Sequence, residues 1–312
     1  HDVVVTLLAE VAVNYIDVRT YQARLSVAQR NVSTQQETWE LLVALVRAGS
    51  GDELAVAQAR YNLESSKAKI TDLNVGLEAA LNRLSLLTGK AAGALPAGLS
   101  EIHPIPVVSI DPAVGIPADV IRQRPDIRQA ERELAAQTAR IGVAEADLYP
   151  SLTLSGSIGW TALSPDRLIR FGNRTWSFGP SFNWPIFNAG AVRSNINVQI
   201  ELQQQARIRY EAAVLSAIEE VENALVVYAK GRQKLKFLDA AVTAAQSAAQ
   251  LAEHQYASGL TAFSDVLDAQ RSLLTFEDQL AEGRGAVLSG LVNLYKALGG
   301  GWQSDHPNGD PG

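Results

Sequence analysis

A mainly α-helical chain carrying one membrane β-hairpin is the fold class this sequence predicts, and three observations predict it. Two tracts are too long and too poor in helix breakers for a globular core, one segment alternates apolar and polar residues along two runs, and the chain repeats itself at an offset of 210 residues. Residues 3–48 contain neither Gly nor Pro, and residues 191–258 contain only Gly231. As a single helix the second tract would extend ~100 Å at 1.5 Å per residue. Its apolar stripe through Val221, Leu225, Tyr228, Leu235, Leu238, Val242, Ala245, Ala249 and Ala252 keeps coiled-coil spacings of three, four and seven. The stripe narrows to Ala toward Gly259, which lets helices approach closely at that end.

The alternating segment covers residues 151–187. Leu152, Leu154, Ile158 and Trp160 share one face with Gly156, against Ser151, Thr153, Ser155 and Ser157. From 175 to 187, Trp176, Phe178, Phe182, Trp184 and Ile186 oppose Thr175, Ser177, Gly179, Ser181 and Asn183. Two strands of roughly ten residues, apolar and aromatic on one face and small and polar on the other, fit a barrel wall between lipid and lumen. A hairpin of a soluble sandwich alternates in the same way, and the long flanking helices decide for the membrane.

Aligning residue n with n+210 superposes Glu10 on Glu220, Val11 on Val221, Leu25 on Leu235, Gly49 on Gly259, Leu63 on Leu273, Leu84 on Leu294 and Gly89 on Gly299, without a gap. This period is far beyond the roughly 20–50 residues of a solenoid unit, so it marks a duplicated half-protein. Each copy reads as a helix, a glycine-marked turn and a returning helix. The hairpin precedes the second copy, and its counterpart before the first copy would fall ahead of residue 1. The expectation is therefore a processed or truncated piece, with another hairpin upstream; the first residues are neither Met nor a secretory signal.

Composition narrows the classes of function. Lys and Arg number 27 against 33 Asp and Glu, a net charge of −6, with no basic block long enough to track a phosphate backbone, so nucleic acid is a poor partner. Cys is absent, which removes disulfides, a thiol nucleophile and thiolate metal sites. The four histidines are scattered, and no run of 18 apolar residues makes a transmembrane helix, which leaves strands as the only route across lipid. Asp126, Glu131, Glu133 and Glu145 form a loose carboxylate series that no His or Cys completes, and they read as a solvated helix face, with Asp126 after Pro125 opening a helix. No phosphate-binding loop is present. No enzyme, metal site or cofactor is expected.

The stretch Arg124-Pro-Asp-Ile-Arg-Gln-Ala-Glu131, with Ala139-Arg-Ile-Gly-Val-Ala144 and Leu148-Tyr-Pro-Ser-Leu-Thr-Leu-Ser-Gly156, resembles the outer-membrane efflux factor family, the TolC and OprM type. Trp176-Ser-Phe-Gly-Pro, Trp184-Pro-Ile-Phe, Leu267-Asp-Ala-Gln-Arg-Ser-Leu273 and Tyr295-Lys-Ala-Leu-Gly-Gly-Gly-Trp302 are similar too, so the resemblance runs from residue 5 to 302 and points to the lipoprotein branch that works with resistance-nodulation-division (RND) pumps. It implies a homotrimer in which long coiled-coil helical hairpins form a periplasmic α-barrel of twelve helices, joined to a twelve-strand transmembrane β-barrel in the Gram-negative outer membrane. Two strands per protomer would make only six, below the roughly eight of the smallest bacterial barrels, whereas four would make twelve. The implied layout is a first periplasmic hairpin over 1–89, an equatorial segment over 90–118 with a short strand at 104–110, a helix leading to the membrane over 119–150, the β-hairpin over 151–188, a second periplasmic hairpin over 189–299 and an equatorial tail over 300–312. The lipid anchor of that branch, on an N-terminal Cys, would belong to the upstream segment.

The resemblance also implies the sites. Asp265 and Asp268, three apart and so on one helix face, match an acidic pair lining the periplasmic mouth. Spacing alone favours carboxylates that help a helix start, and it is the resemblance that shifts the reading to the mouth. Tyr256 matches a tyrosine that latches neighbouring helices closed, or simply packs between them. The family's latch arginine falls at Thr261 and its acidic acceptor near Leu54 and Ala55, so neither is present; Asp52, Glu53, Arg47 and Arg271 are the candidate substitutes. The expected function is a passive exit duct of a tripartite efflux pump, opened by an iris-like movement of the helix tips and fed by an inner-membrane RND transporter through a periplasmic adaptor. A soluble coiled-coil scaffold is the rival reading.

Overall fold

A computed structural model describes residues 2–95, 97–99, 101–106, 122–163 and 171–300. The elements are α1 (Asp2–Arg47), α2 (Glu53–Leu87), a 3-10 turn (Ala97–Leu99), α3 (Pro125–Ala146), β1 (Ser151–Trp160), a second 3-10 turn (Phe171–Asn173), β2 (Arg174–Asn183), α4 (Ala191–Ala257) and α5 (Phe263–Ala297). They fall into two compact units, residues 1–125 with 217–312, and residues 126–216. No helix among the described residues is long and apolar enough to cross a membrane.

The first unit is built from two helical hairpins, α1 with α2 and the distal part of α4 with α5. The repeat is visible in its bounds: α2 and α5 each have 35 residues, and both ends are displaced by 210. Every described helix end that precedes a repeat glycine closes in the same way. At Gly49 the Ser50 N–H donates to Leu45 and the Gly49 N–H to Val46, and at Gly259 the Leu260 N–H donates to Gln255 and the Gly259 N–H to Tyr256. This Schellman closure needs a left-handed residue, supplied by Gly49 at φ 77° and Gly259 at φ 71°. The turns differ one step later. Asp52 caps α2 by accepting from the Leu54 N–H at 2.9 Å, whereas Ala262, its counterpart, has no side chain to cap α5.

Apolar clusters run along these hairpins. Leu42, Ala55, Ala59, Phe263, Val266 and Leu267 pack together at the turn end, Leu25, Ala28 and Leu73 further along, and Val221, Tyr228, Leu291, Leu294 and Ala297 at the opposite end. The stripe expected on α4 is the buried face of that helix: Val221, Tyr228, Leu238, Ala245 and Ala249 are buried, and the remaining members half-buried. Arg124, 9% exposed, closes the far end, donating to the Ala297 carbonyl at 2.6 Å and to Glu220 at 2.7 Å. A guanidinium suits the exposed carbonyls of a helix C-terminus. Gly299 is small because Arg124 lies against it: a Cβ there would sit 3.1 Å from Arg124 Cγ.

α3 opens at Pro125 with Asp126, the first residue of the second unit, accepting from the Ile127 N–H, as the Pro-Asp pair suggests. Further on Gln137 bonds Gln199 at 2.9 Å. The two strands pair antiparallel with Leu152 opposite Phe182, Gly156 opposite Phe178 and Ile158 opposite Trp176 on one face, and Thr153 opposite Ser181 and Ser157 opposite Ser177 on the other. The hydroxyls of those last two pairs bond each other at 2.5 and 2.8 Å. β2 is shorter than its alternation suggests. It ends at Asn183, so Trp184 and Ile186 lie outside it; Pro185 has no N–H for the ladder, and Trp184 instead donates its indole N–H to the Leu148 carbonyl at 3.2 Å.

Residues 104–106 form no strand. The remainder of the strand expected at 104–110, residues 96, 100 and 107–118 of the equatorial segment, residues 119–121, 164–170 and the tail at 301–312 lie outside the described residues.

Candidate functional site

The turn end of the first unit gathers the residues singled out as a gate, each placed by a helix terminus. Asp265 stands exposed in the first turn of α5 and accepts from the Thr261 hydroxyl, so its nearest partner belongs to its own turn. A carboxylate there also meets the positive end of the helix dipole. Asp268, one turn on, is 76% exposed and lies 3.6 Å from the Arg271 guanidinium. Both carboxylates therefore face solvent.

Tyr256 ends α4 inside the apolar cluster. Its ring lies 5.3 Å from that of Phe263, tilted by 57°, and like Trp39, Val56 and Ala252 it packs against the buried residues of that cluster. Burial, and secondarily the negative charge of Asp52, raise its phenol above the usual tyrosine value. It packs between helices as a neutral side chain.

Arg271 does bridge two helices, but not to the expected acceptors. Its Nε donates to Asn62 Oδ1 at 2.9 Å and an Nη to the Tyr61 hydroxyl at 2.8 Å, with the guanidinium 5.4 Å from the centre of the Tyr61 ring. Asp52 is occupied as the cap of α2, and among the described residues neither Arg47 nor Glu53 forms an ion pair; both line an open groove of about 780 Å³ with Val43, Val46 and Tyr61. The reason is register. α2 and α5 run in the same direction with position n beside n+210, which sets Arg271 level with Tyr61 and roughly 14 Å along the helix from Asp52 at 1.5 Å per residue.

A second tie escaped the sequence reading. Asp278 of α5, with its side chain 12% exposed, accepts from Nε and one Nη of Arg24 from α1 at 2.8 and 3.0 Å and from Lys69 of α2 at 2.9 Å. Burial pushes the Asp278 carboxyl upward, but the hydrogen bonds and charges of Arg24 and Lys69 outweigh it and hold the carboxyl below its ordinary value. The repeat offset is the signal that would have found both ties, since Tyr61 and Arg271 are 210 apart and Lys69 and Asp278 are 209 apart.

The arrangement holds helices together. Among the described residues no group of His, Cys, Asp or Glu side chains is positioned to hold a metal ion.

Comparison with known proteins bears on the whole chain. A family model described as outer membrane efflux protein matches residues 1–90 and 116–300. Nodulation protein T of Rhizobium leguminosarum bv. trifolii is 38% identical over 292 residues, covering 93% of this chain and 62% of that protein. The toluene efflux pump outer membrane protein TtgF of Pseudomonas putida is 33% identical over 302 residues, covering 96% and 62%. The outer-membrane channel OprN superposes with a TM-score of 0.86 at 37% identity, over 96% of this chain and 67% of that one. The chain thus spans less than two thirds of the length of either of those two relatives.

Proposed function

The chain belongs to the outer membrane efflux protein family, and from that premise we propose that it is part of a passive exit duct: the trimeric outer-membrane component of a tripartite efflux pump. The observation that carries this reading is the parallel contact of α2 with α5 at the repeat offset, through Arg271 on Tyr61 and Asp278 on Lys69. Equal positions running parallel relate the two repeats by a rotation about an axis along the helices, since a two-fold across them would run equal positions in opposite directions. A head-to-tail relation of this kind closes into a ring when it is repeated. Three chains of two hairpins then supply twelve helices around a lumen.

The β-hairpin supports the membrane end. Its apolar face, with Leu152, Leu154, Ile158, Trp160, Trp176, Phe178 and Phe182, would meet lipid, and the hydroxyl face the lumen. Trp184, beyond β2, would sit at the interface, where an indole keeps a polar handle. An inner-membrane RND transporter supplies the energy and a periplasmic adaptor makes the connection.

At the periplasmic end Asp265 and Asp268 would form rings of carboxylates, and Arg271 holds α5 to α2 in the closed tip. An iris-like parting of the tips has to break Arg271 from Tyr61 and Asn62. Reconstituting the full-length protein in planar bilayers tests this. Wild type should partition with the outer membrane and conduct poorly, and Arg271→Ala should raise its mean conductance several-fold. Absence of conductance from both proteins would sink the duct, and equal conductance would remove the latch.

A further inference from the structure

Between the apolar cluster at the helix tips and the cluster around Leu25 and Leu73 lies a layer of buried polar side chains. Gln35, Asn62 and Gln270 are 4%, 5% and 6% exposed, and each keeps a buried polar atom without a hydrogen-bond partner in the protein: Gln35 Oε1, Asn62 Nδ2 and Gln270 Oε1. Asn31 Oδ1 and Trp39 Nε1, one turn of α1 to either side of Gln35, are in the same position.

Register sets three of these at one level. α1 and α2 run antiparallel, from the cluster that holds Leu42 and Ala59 to the one that holds Leu25 and Leu73, which places Gln35 opposite Asn62 and Ser66. α1 meets α5 at Leu42 with Phe263 and Val266 and again at Arg24 with Asp278, which brings Gln35 opposite Gln270. The Arg271 bond to Asn62 joins α2 and α5 at that level. The amide orientations are set by chemistry: Asn62 must present its oxygen to Arg271, and Gln270 must present its nitrogen to Glu253, 2.9 Å away.

Helix packing does not require this polarity. Asn31, Gln35 and Trp39 correspond to Ala241, Ala245 and Ala249 in the second repeat, where the last two are buried on the same stripe. An unmet buried polar group costs on the order of 1–3 kcal/mol, and native cores hold only a few. Three helices contributing one each at a single level concentrate that cost.

Resting on the duct reading, we propose that this layer is a wettable seam: water enters between α1, α2 and α5 at Gln35 when the tips part, and the unmet hydrogen bonds of the closed layer lower the cost of opening. Below the seam the tip segments move. Above it the Arg24–Asp278–Lys69 tie keeps the helices together.

The test uses the full-length trimer and the paired variant Gln35→Leu with Gln270→Leu, which keeps side-chain volume and removes two of the layer's three unmet atoms, Gln35 Oε1 and Gln270 Oε1. Its thermal midpoint should rise and its open probability fall by about tenfold, the equivalent of ~1.4 kcal/mol. Trp39 reports wetting: its emission, isolated by difference against Trp39→Phe, should move to the red in Arg271→Ala and stay unshifted when the Leu pair is added. Gln35→Ala, which copies the second repeat, serves in place of the Leu pair if that pair fails to assemble, and should also lower the open probability. A lower midpoint in the Leu pair, an unchanged open probability, or conducting Arg271→Ala protein with unshifted Trp39 emission would overturn the seam. Absent conductance would refute the duct itself, and the midpoint would then decide whether the closed layer carries unmet demand.

Discussion

Asp278→Asn should cost the folded protomer about 3 kcal/mol, and the figure follows from exposure. Removing one partner of a buried pair costs ~3–5 kcal/mol because the other charge stays desolvated. Here the Arg24 side chain is 20% exposed and would be stranded, whereas Lys69, at 39%, can turn to water, which sets the cost at the lower end. For a chain of this length that energy is roughly 3–5 °C in an apparent midpoint, read by far-ultraviolet circular dichroism on the assembled protein. A double-mutant cycle with Arg24→Ala isolates the pair from whatever each substitution does alone.

The pH dependence gives a second handle on the same residue. Asp278 titrates below its ordinary value in the fold, so its stabilisation is fully present above the unfolded carboxylate pKa of about 3.9 and is lost as pH falls through the lower folded value. The midpoint difference between wild type and Asp278→Asn should therefore stay constant from neutral pH down to about 5 and shrink below about 4. Midpoints within about 1 °C of each other throughout that range would show that Arg24 and Lys69 are held equally well by water, and the inter-repeat tie would have to be sought elsewhere.

Arg124→Ala should lower the midpoint by the equivalent of ~2–3 kcal/mol, since Glu220 is half exposed and pays less than a fully buried partner; Arg124→Lys should recover only part, because an ammonium cannot span Ala297 O and Glu220 as a fork does. Arg at Leu154 should cost roughly 2–4 kcal/mol near the bilayer midplane and cut assembly yield, while Arg at neighbouring Thr153 should be tolerated, and equal yields would remove the inside–outside assignment. Replacing Asp265 and Asp268 together with Ala should weaken cation selectivity and multivalent-cation block of the closed end, with exposed Glu133→Ala as the unaffected control; an unchanged reversal potential would leave Asp265 with its bond to Thr261 and its place at the helix start as the whole of its role.

What the sequence makes legible is whatever depends on one element at a time. Helices follow from the lack of Gly and Pro in 3–48 and 191–258, and their ends from Gly49 and Gly259. The pairing of the hairpin follows from alternation because a slip of one residue would put Trp176 and Phe178 on the hydroxyl face. Trp184 falls outside β2 because the ladder stops at Asn183 while the alternation continues to Ile186. Arg271 joins two helices through Tyr61 and Asn62 and not through Asp52 or Glu53, because its partners depend on how two helices are shifted along each other. A residue's own helix does not contain that quantity.

The repeat offset does contain it. Once α2 and α5 are known to run parallel in contact, the offset names Tyr61 for Arg271 and, within one residue, Lys69 for Asp278. The positions where the two copies agree, such as Gly49 with Gly259 and Leu84 with Leu294, are those that shape either hairpin. The positions where they part carry what is particular to one: Asp52 against Ala262 makes one turn capped and the other not, and Gln35 against Ala245 makes one core polar and the other tightly closable. A duct made of twelve identical helices would have no reason to open at one seam before another. The departures from the repeat break that equivalence inside each protomer, and movement at the tip should begin where the copies differ most in what they bury, along the seam at Gln35 that α1 and α2 share with α5.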